Sequence, residues 1–299
     1  MRIRHFSFLG VRGLDGWKKD LPRTSDTDLT VIHGPYGSGK TSFLDTLAAA
    51  KERIAAYGTA DSRWDGLVAQ DGGAKVLIDW EVSDEERTRF ALADRLVSSE
   101  ALLGRAVAAA KNPIALQGIL TEPGSATRGS VHYLHDSRGL EGPVSFGAEE
   151  AAVRMRLTTR NSKFAEAYDV LDQPERAADK ELASRRFAEL CPRLAIEGLR
   201  RFGTTFTSQV RDRATGAVRP VASLSASEQQ AFLLALYTAR PIVNSVVLVD
   251  APETGFGDGA VEYVRALLRW TTNSQIIVAT SAAVVRSMPE VSHVLELAP

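Results

Sequence analysis

Cysteine is nearly absent from this 299-residue chain, where Cys191 stands alone. A single thiol forms no intrachain disulfide, and nothing around it has metal-ligand spacing, so a disulfide-stapled scaffold and a thiolate metal site are both excluded. A reducing cytoplasm is the expected setting, with Cys191 as a packing residue. Long apolar runs are missing too. No stretch approaches the ~20 residues that span a bilayer. The opening MRIRHFSFLG has neither the sustained apolar run nor the small-residue cleavage site of a signal peptide. A soluble chain without membrane contact is expected. Excess charge of one sign is also lacking. The 36 basic residues nearly cancel the 37 acidic ones, so no global field draws the chain onto nucleic acid or anionic lipid. The five histidines are scattered. His132 and His135 form an H-x-x-H pair beside Asp136, but the Gly/Ser-rich surroundings supply no further metal ligands. No heptad pattern is sustained over several turns, which excludes a long coiled-coil arm.

The chain does have enough apolar content, 44%, to build a sizeable core. Phe6 and Phe8 alternate with Ser7, and Leu29 to Ile32 form a short apolar run, so the first forty residues read as strands flanking a charged loop. From Thr41 the period changes: Leu44, Leu47 and Ala48 recur at helical spacing through an alanine-rich stretch ending near Gly58. Val76, Ile78, Trp80 and Val82 alternate with Leu77, Asp79 and Glu81, which predicts a strand with one face far more buried than the other. Ser83 with Glu86 has the spacing of a capping box that opens a helix. Between about residues 84 and 200 the chain is rich in Ala, Arg, Glu and Leu around a Gly/Pro/Ser loop from Asn112 to Pro143, and reads as a mostly helical insertion with a few strands. Strands return at Thr204 to Val210 and, after the Thr215-Gly216 turn, at Val218 to Val221. Val246 to Val249 and Ile276 to Val278 are continuous apolar runs, as expected of parallel strands covered on both faces. These patterns predict an α/β protein with a central, largely parallel sheet and antiparallel strands near the N-terminus. It divides into an N-terminal lobe (1–83), an insertion (84–202) and a C-terminal lobe (203–299).

Three elements carry chemistry. Gly34-Pro-Tyr-Gly37-Ser38-Gly39-Lys40-Thr41-Ser42 fits G-x-x-x-x-G-K-[ST] between an apolar strand and an amphipathic helix, the context this phosphate loop requires. The glycines let backbone N–H groups close around phosphates at a helix N-terminus, where the dipole favours negative charge. Lys40 is expected on the β- and γ-phosphates of ATP and Thr41 on magnesium. The second element is Val246-Val-Leu-Val-Asp250, an apolar strand ending in a carboxylate, the pattern by which P-loop proteins hold Mg2+. The third, Leu224-Ser225-Ala226-Ser227-Glu228-Gln229, opens an amphipathic helix with Leu233, Leu236 and Tyr237 inward. Ser225 and Glu228 also have capping-box spacing, and both readings can hold together.

The third element resembles the ABC signature motif. With the opening segment Ile3 to Leu14, it makes the chain similar to the ABC-type ATPase heads of the SMC- and RecF-like group, over residues 1–82 and 203–299. That resemblance implies a P-loop fold in which two heads sandwich ATP and Mg2+, with Ser225, Ala226, Ser227 and Glu228 acting on the nucleotide of the other subunit. It places Gln70 where a metal-contacting glutamine lies in the relatives, although a single glutamine in a polar loop is more often plain surface. Two departures stand out. Relatives follow the strand-end aspartate with a glutamate that polarises the attacking water; here Asp250-Ala251-Pro252-Glu253 offers only Glu253 as a substitute base. Relatives carry a switch histidine where this chain has Ser281. Slow or impaired ATP hydrolysis is therefore expected.

The resemblance implies an ATP-gated homodimer that switches a protein effector, since short relatives with helical insertions and no long arms commonly accompany effector proteins in bacterial anti-phage systems. The alternative is a DNA repair or recombination ATPase that clamps duplex DNA. Arg154, Arg156 and Arg160 and the pairs Arg185-Arg186 and Arg200-Arg201 are the candidate contacts, but near-zero net charge and the missing coiled coil disfavour it. A transporter subunit lacks any spanning segment, and a small-molecule kinase would not need the Leu224 to Gln229 element.

Overall fold

The computed structural model describes residues 1–54, 66–69, 73–104, 113–121, 131–135, 170–171, 174–202 and 205–298. Its strands are β1 (Arg2–Leu9), β2 (Lys18–Asp20), β3 (Asp28–His33), β4 (Ala74–Glu81), β5 (Leu96–Leu103), β6 (Val131–Leu134), β7 (Leu194–Phe202), β8 (Thr205–Asp212), β9 (Val218–Pro220), β10 (Ile242–Val243), β11 (Val246–Asp250), β12 (Thr271–Thr272), β13 (Gln275–Thr280) and β14 (Val291–Glu296).

The central sheet has the order β14-β3-β13-β11-β6, and every pairing in it is parallel. All five residues of β11 and all six of β13 are buried. Alternation divides their side chains between two cores. Val246, Leu248, Ile277 and Ala279 face a core shared with Phe6, Phe8 and the helix Lys40–Ile54, which contributes Phe43, Leu44 and Leu47. Val247, Val249, Ile276 and Val278 face a second core with Phe232, Leu233 and Leu236 of the helix Ala226–Thr238 and with Tyr263 and Leu267 of the helix Ala260–Trp270. Continuous apolar strands arise because neither face meets water.

An antiparallel sheet, β2-β1-β4-β5, closes the first core from the other side. Its β4 alternates buried and half-buried residues along its whole length, with Val76, Ile78 and Trp80 inward. The rings of Phe6 and Phe8 meet Phe43 of the Lys40–Ile54 helix at 5.1 and 5.3 Å. Ser83 caps the helix Asp84–Arg89, and Glu86 returns the bond to the Ser83 amide, which closes the expected box.

The stretch read as mostly helical contributes to both sheets. β5 pairs antiparallel with β4 over eight positions, and β6 extends the central sheet beside β11. β7 begins at Leu194 and forms a long antiparallel hairpin with β8. Its helices Ile114–Thr121 and Ala177–Leu190 are there as well. The composition of β5, LVSSEALL, hides the strand, since Leu, Ala and Glu favour helices and only pairing with β4 decides otherwise.

Lys51, on the inner side of the helix Lys40–Ile54, is 4% exposed. Burial pushes its ammonium down to about 8, with Glu52 acting in the opposite direction. Between pH 8 and 10.5 the unfolded chain binds this proton more firmly than the folded one, so stability contributed by this site rises with pH through that window. At neutral pH the buried charge costs on the order of 3 kcal/mol. Lys51→Met is therefore expected to raise the melting temperature at pH 7. By pH 9.5 its advantage over the natural chain should narrow by about 2 kcal/mol, read from denaturant titrations at the two pH values. An advantage that stays constant with pH would refute the assignment.

Candidate functional site

All three chemical elements sit at or near the carboxyl end of the parallel sheet, where open α/β sheets bind their ligands. β3 ends at His33 and the loop Gly34–Gly39 follows. Gly37 and Gly39 adopt φ of +84° and +90°, which only glycine tolerates freely. Gly34 is held by space instead: a Cβ there would lie 2.6 Å from both the Leu297 carbonyl oxygen and Ser38 Oγ. The helix beginning at Lys40 aims its first amide groups into the loop, with the Phe43 N–H already bonded to the Gly39 carbonyl at 2.9 Å. Lys40 Nζ folds back over the loop and donates to the carbonyls of Gly34 (2.9 Å) and Pro35 (2.7 Å). An ammonium parked on two loop carbonyls is placed for an anion entering the loop.

β13 lies between β3 and β11, so the glycine loop that leads to Thr41 and the strand that ends in Asp250 belong to positions in the sheet that are not neighbours. The Lys40–Ile54 helix packs across β13 and β11, and Thr41 Oγ1 donates to Asp250 Oδ1 at 3.2 Å. Asp250 is 1% exposed, whereas Thr41 is open to solvent. Ser42 is half-buried one residue on. Hydroxyl and carboxylate side by side form the oxygen donor set a hard divalent cation takes.

Ala251 follows with φ +41°, left-handed for a residue with a Cβ, while its N–H bonds the Ala279 carbonyl at 2.9 Å. Glu253 opens the short helix Glu253–Phe256. Its carboxylate accepts from Thr280 Oγ1 (2.7 Å), the Ser281 amide (2.8 Å) and Ser281 Oγ (2.8 Å). Partial burial works to raise the Glu253 carboxyl, but the bonds from Thr280 and Ser281 outweigh it and hold the group below the usual range. Glu253 is thus ionised, with both oxygens engaged. The fold thus brings Glu253, two residues after Ala251, onto Ser281. Nothing in the sequence marks Thr280 or Ser281 as its partners.

Ser225 is the N-cap of the helix Ala226–Thr238. Its amide donates to Glu228 Oε2 at 3.0 Å, its hydroxyl lies 2.9 Å from the same oxygen and 3.2 Å from Ser227 Oγ, and it is exposed. Ala226 is exposed beside it. Gln229 Nε2 donates to the Leu224 carbonyl at 2.9 Å, fixing the turn before the helix. The capping box is present, and it leaves the serine at the surface. Leu233 and Leu236 are inward as expected, while Tyr237 is half-buried with its hydroxyl 2.5 Å from His132 Nδ1.

Gln70 lies outside the described residues, as do Asp136, Arg154, Arg156 and Arg160. Among the described residues no group of His, Cys, Asp and Glu could hold a metal by itself, and no helix is long and apolar enough to cross a membrane. Arg185 pairs with Glu181 at 3.3 Å. Arg186 donates to the Thr238 carbonyl and stacks over Trp270 at 5.3 Å. Cys191 packs against the second core, and burial followed by the Glu228 charge raises its thiol to about 11.

No family model and no curated protein matches the sequence. Solved structures do share its fold. An Smc head bound to the C-winged helix domain of ScpA superposes with a TM-score of 0.62 at 18% identity, covering 99% of this chain and 94% of that one. An Smc head domain with an extended coiled coil, bound to the C-terminal domain of ScpA derived from Pyrococcus furiosus, gives 0.57 at 15%, covering 98% and 92%. The chain has the mixed parallel and antiparallel fold of an Smc head domain.

Proposed function

We propose that this chain is an ABC-type, ATP- and magnesium-binding head that dimerises around nucleotide, hydrolyses it slowly, and switches a protein partner in the cytoplasm. The observation that carries this reading is the 3.2 Å bond from Thr41 to Asp250, which joins the two motifs across an intervening strand at the mouth of the glycine loop. Lys40, Thr41, Ser42 and the loop amides of Gly37, Ser38 and Gly39 would hold the phosphates. Thr41 and Asp250 would hold Mg2+, which supplies charge neutralisation at the phosphates when bound. Exposed Ser225 with Ala226, Ser227 and Glu228 would meet the nucleotide of a second copy.

Slow turnover follows from the residues present. Ala251 has no proton acceptor and Ser281 no imidazole. Glu253 already accepts three hydrogen bonds. Positioning and electrostatics dominate phosphoryl transfer, so losing polar groups there costs about a hundredfold or more in rate. A chain that holds ATP longer than it cleaves it serves as a switch, and the solved Smc heads above are seen on a protein, ScpA. A protein effector, of the kind the resemblance associates with anti-phage systems, is the partner proposed here. The DNA reading is less well supported, because Arg185 and Arg186 are occupied by Glu181, Thr238 and Trp270.

The test is light scattering with and without ATP and magnesium. Wild-type protein is expected to double in mass with ATP, and Ser225→Arg, which sets a bulky cation on the exposed cap, is expected to stay monomeric while still binding ATP. A mass indifferent to ATP would withdraw the sandwich.

A further inference from the structure

The helix capped by Ser225 is interlocked with the segment that follows Asp250. Gln230, on the second turn of the Ala226–Thr238 helix, is 8% exposed, and its Oε1 has no hydrogen-bond partner. Its carboxamide lies against Gly255, where an added Cβ would fall 2.1 Å from Cδ, 2.1 Å from Nε2 and 2.2 Å from Oε1. Gly255 has no left-handed backbone. Glycine is needed there to admit the glutamine. A buried amide oxygen without a donor is costly, so shape at this contact outweighs polarity.

Gly255 is in turn fixed to the phosphate end. Glu253, two residues before it, is tied to Thr280 and Ser281, and the Thr254 amide bonds the Ala251 carbonyl at 3.0 Å. Phe256 packs on Tyr263 with ring centres 4.7 Å apart. Residues 250–256 therefore form a short, stiff connector, with the metal-site aspartate at one end and the Gln230 contact near the other. Close-packed contacts of this kind transmit a shift because they cannot compress.

We propose that Gln230 is a positioning residue: through Gly255 it lets the state of a head's own phosphate site set where that head presents Ser225 to a second copy of this chain. The inference rests on the ATP-sandwich reading and adds the direction of coupling within one head.

The experiment uses the full chain. Gln230→Ala removes the contact, Gln230→Met keeps its length without the amide, and Gly255→Ala forces the clash. ATP affinity is read by calorimetry and ATP-dependent dimerisation by light scattering. Gln230→Ala is expected to bind ATP within about threefold of wild type yet dimerise at least about tenfold more weakly. Gln230→Met should retain most of the dimerisation. Gly255→Ala with Gln230→Ala should be no worse than Gln230→Ala alone, since both act on one contact. Wild-type dimerisation in Gln230→Ala, or a loss of ATP affinity equal to the loss of dimerisation, would overturn the proposal. A wild-type chain that stays monomeric in ATP would instead remove the sandwich reading beneath it.

Discussion

Lys40→Ala is expected to weaken ATP binding at least about a hundredfold while shifting the melting temperature of the nucleotide-free chain very little. The asymmetry comes from the bonds Lys40 makes in each state. Without nucleotide its ammonium donates to the Gly34 and Pro35 carbonyls at the edge of the loop. The Pro35 acceptor is exposed and only the Gly34 bond is part-buried, so the fold loses at most about the 1 kcal/mol of one neutral-acceptor hydrogen bond. With ATP the same ammonium would face the β- and γ-phosphates, where each charge-assisted hydrogen bond is worth about 1.5 to 3 kcal/mol. Losing two such bonds corresponds to a factor of about 150 or more in Kd. Calorimetric titration with ATP, alongside a thermal melt, separates the two effects. A variant that still binds ATP within threefold of wild type would remove the phosphate-loop assignment. Lys40→Arg is expected to rescue poorly, because a planar guanidinium does not fit a loop shaped around a compact ammonium.

The elements legible in the sequence are those in which local pattern and tertiary environment agree. The all-apolar β11 and β13 announced parallel strands covered on both faces, and the alternation of Val76, Ile78 and Trp80 announced a one-sided β4. The capping boxes at Ser83 and Ser225 were visible because their spacing is itself the geometry. What stayed hidden depends on partners distant in the chain. β5 and β6 take their places from β4 and β11 rather than from their own composition. The Glu253 bonds to Thr280 and Ser281 bridge 27 and 28 positions, and the Gln230 contact is recorded only as a glycine at 255. Polar side chains of ordinary type at unremarkable spacing carry no signal until the fold brings them together. The Gly34–Thr41 segment stands out for the opposite reason, since its glycines, lysine and threonine fall within eight positions of one another.

Ala251→Glu is expected to raise ATP turnover by about ten- to a hundredfold, the gain attached to one well-placed polar group in a phosphoryl-transfer site. Ala251 directly follows Asp250 at the carboxyl end of β11, so a carboxylate there starts from the same strand end as Asp250, the proposed Mg2+ ligand. At φ +41° the natural alanine already bears the left-handed strain of a residue with a Cβ, about 1 to 2 kcal/mol, so the glutamate adds little and the melting temperature should change only slightly. Glu253 does not already fill this role, because its oxygens are held by Thr280 and Ser281. Glu253→Gln should therefore change the residual turnover of the natural chain less than about threefold, as the amide oxygen can still accept from the Ser281 amide and hydroxyl while its NH2 donates to Thr280 Oγ1. Phosphate release from the purified chain and both variants decides the matter. If Ala251→Glu binds ATP normally yet turns over no faster, the missing glutamate is not what limits hydrolysis. Loss of all residual turnover in Glu253→Gln would return the base to Glu253, and the clasp would then be a resting state that opens when nucleotide binds. With both expectations met, the chain is a head whose switch outlasts its chemistry, kept slow by an alanine directly after β11 and by a Glu253 held on Thr280 and Ser281 at the end of β13.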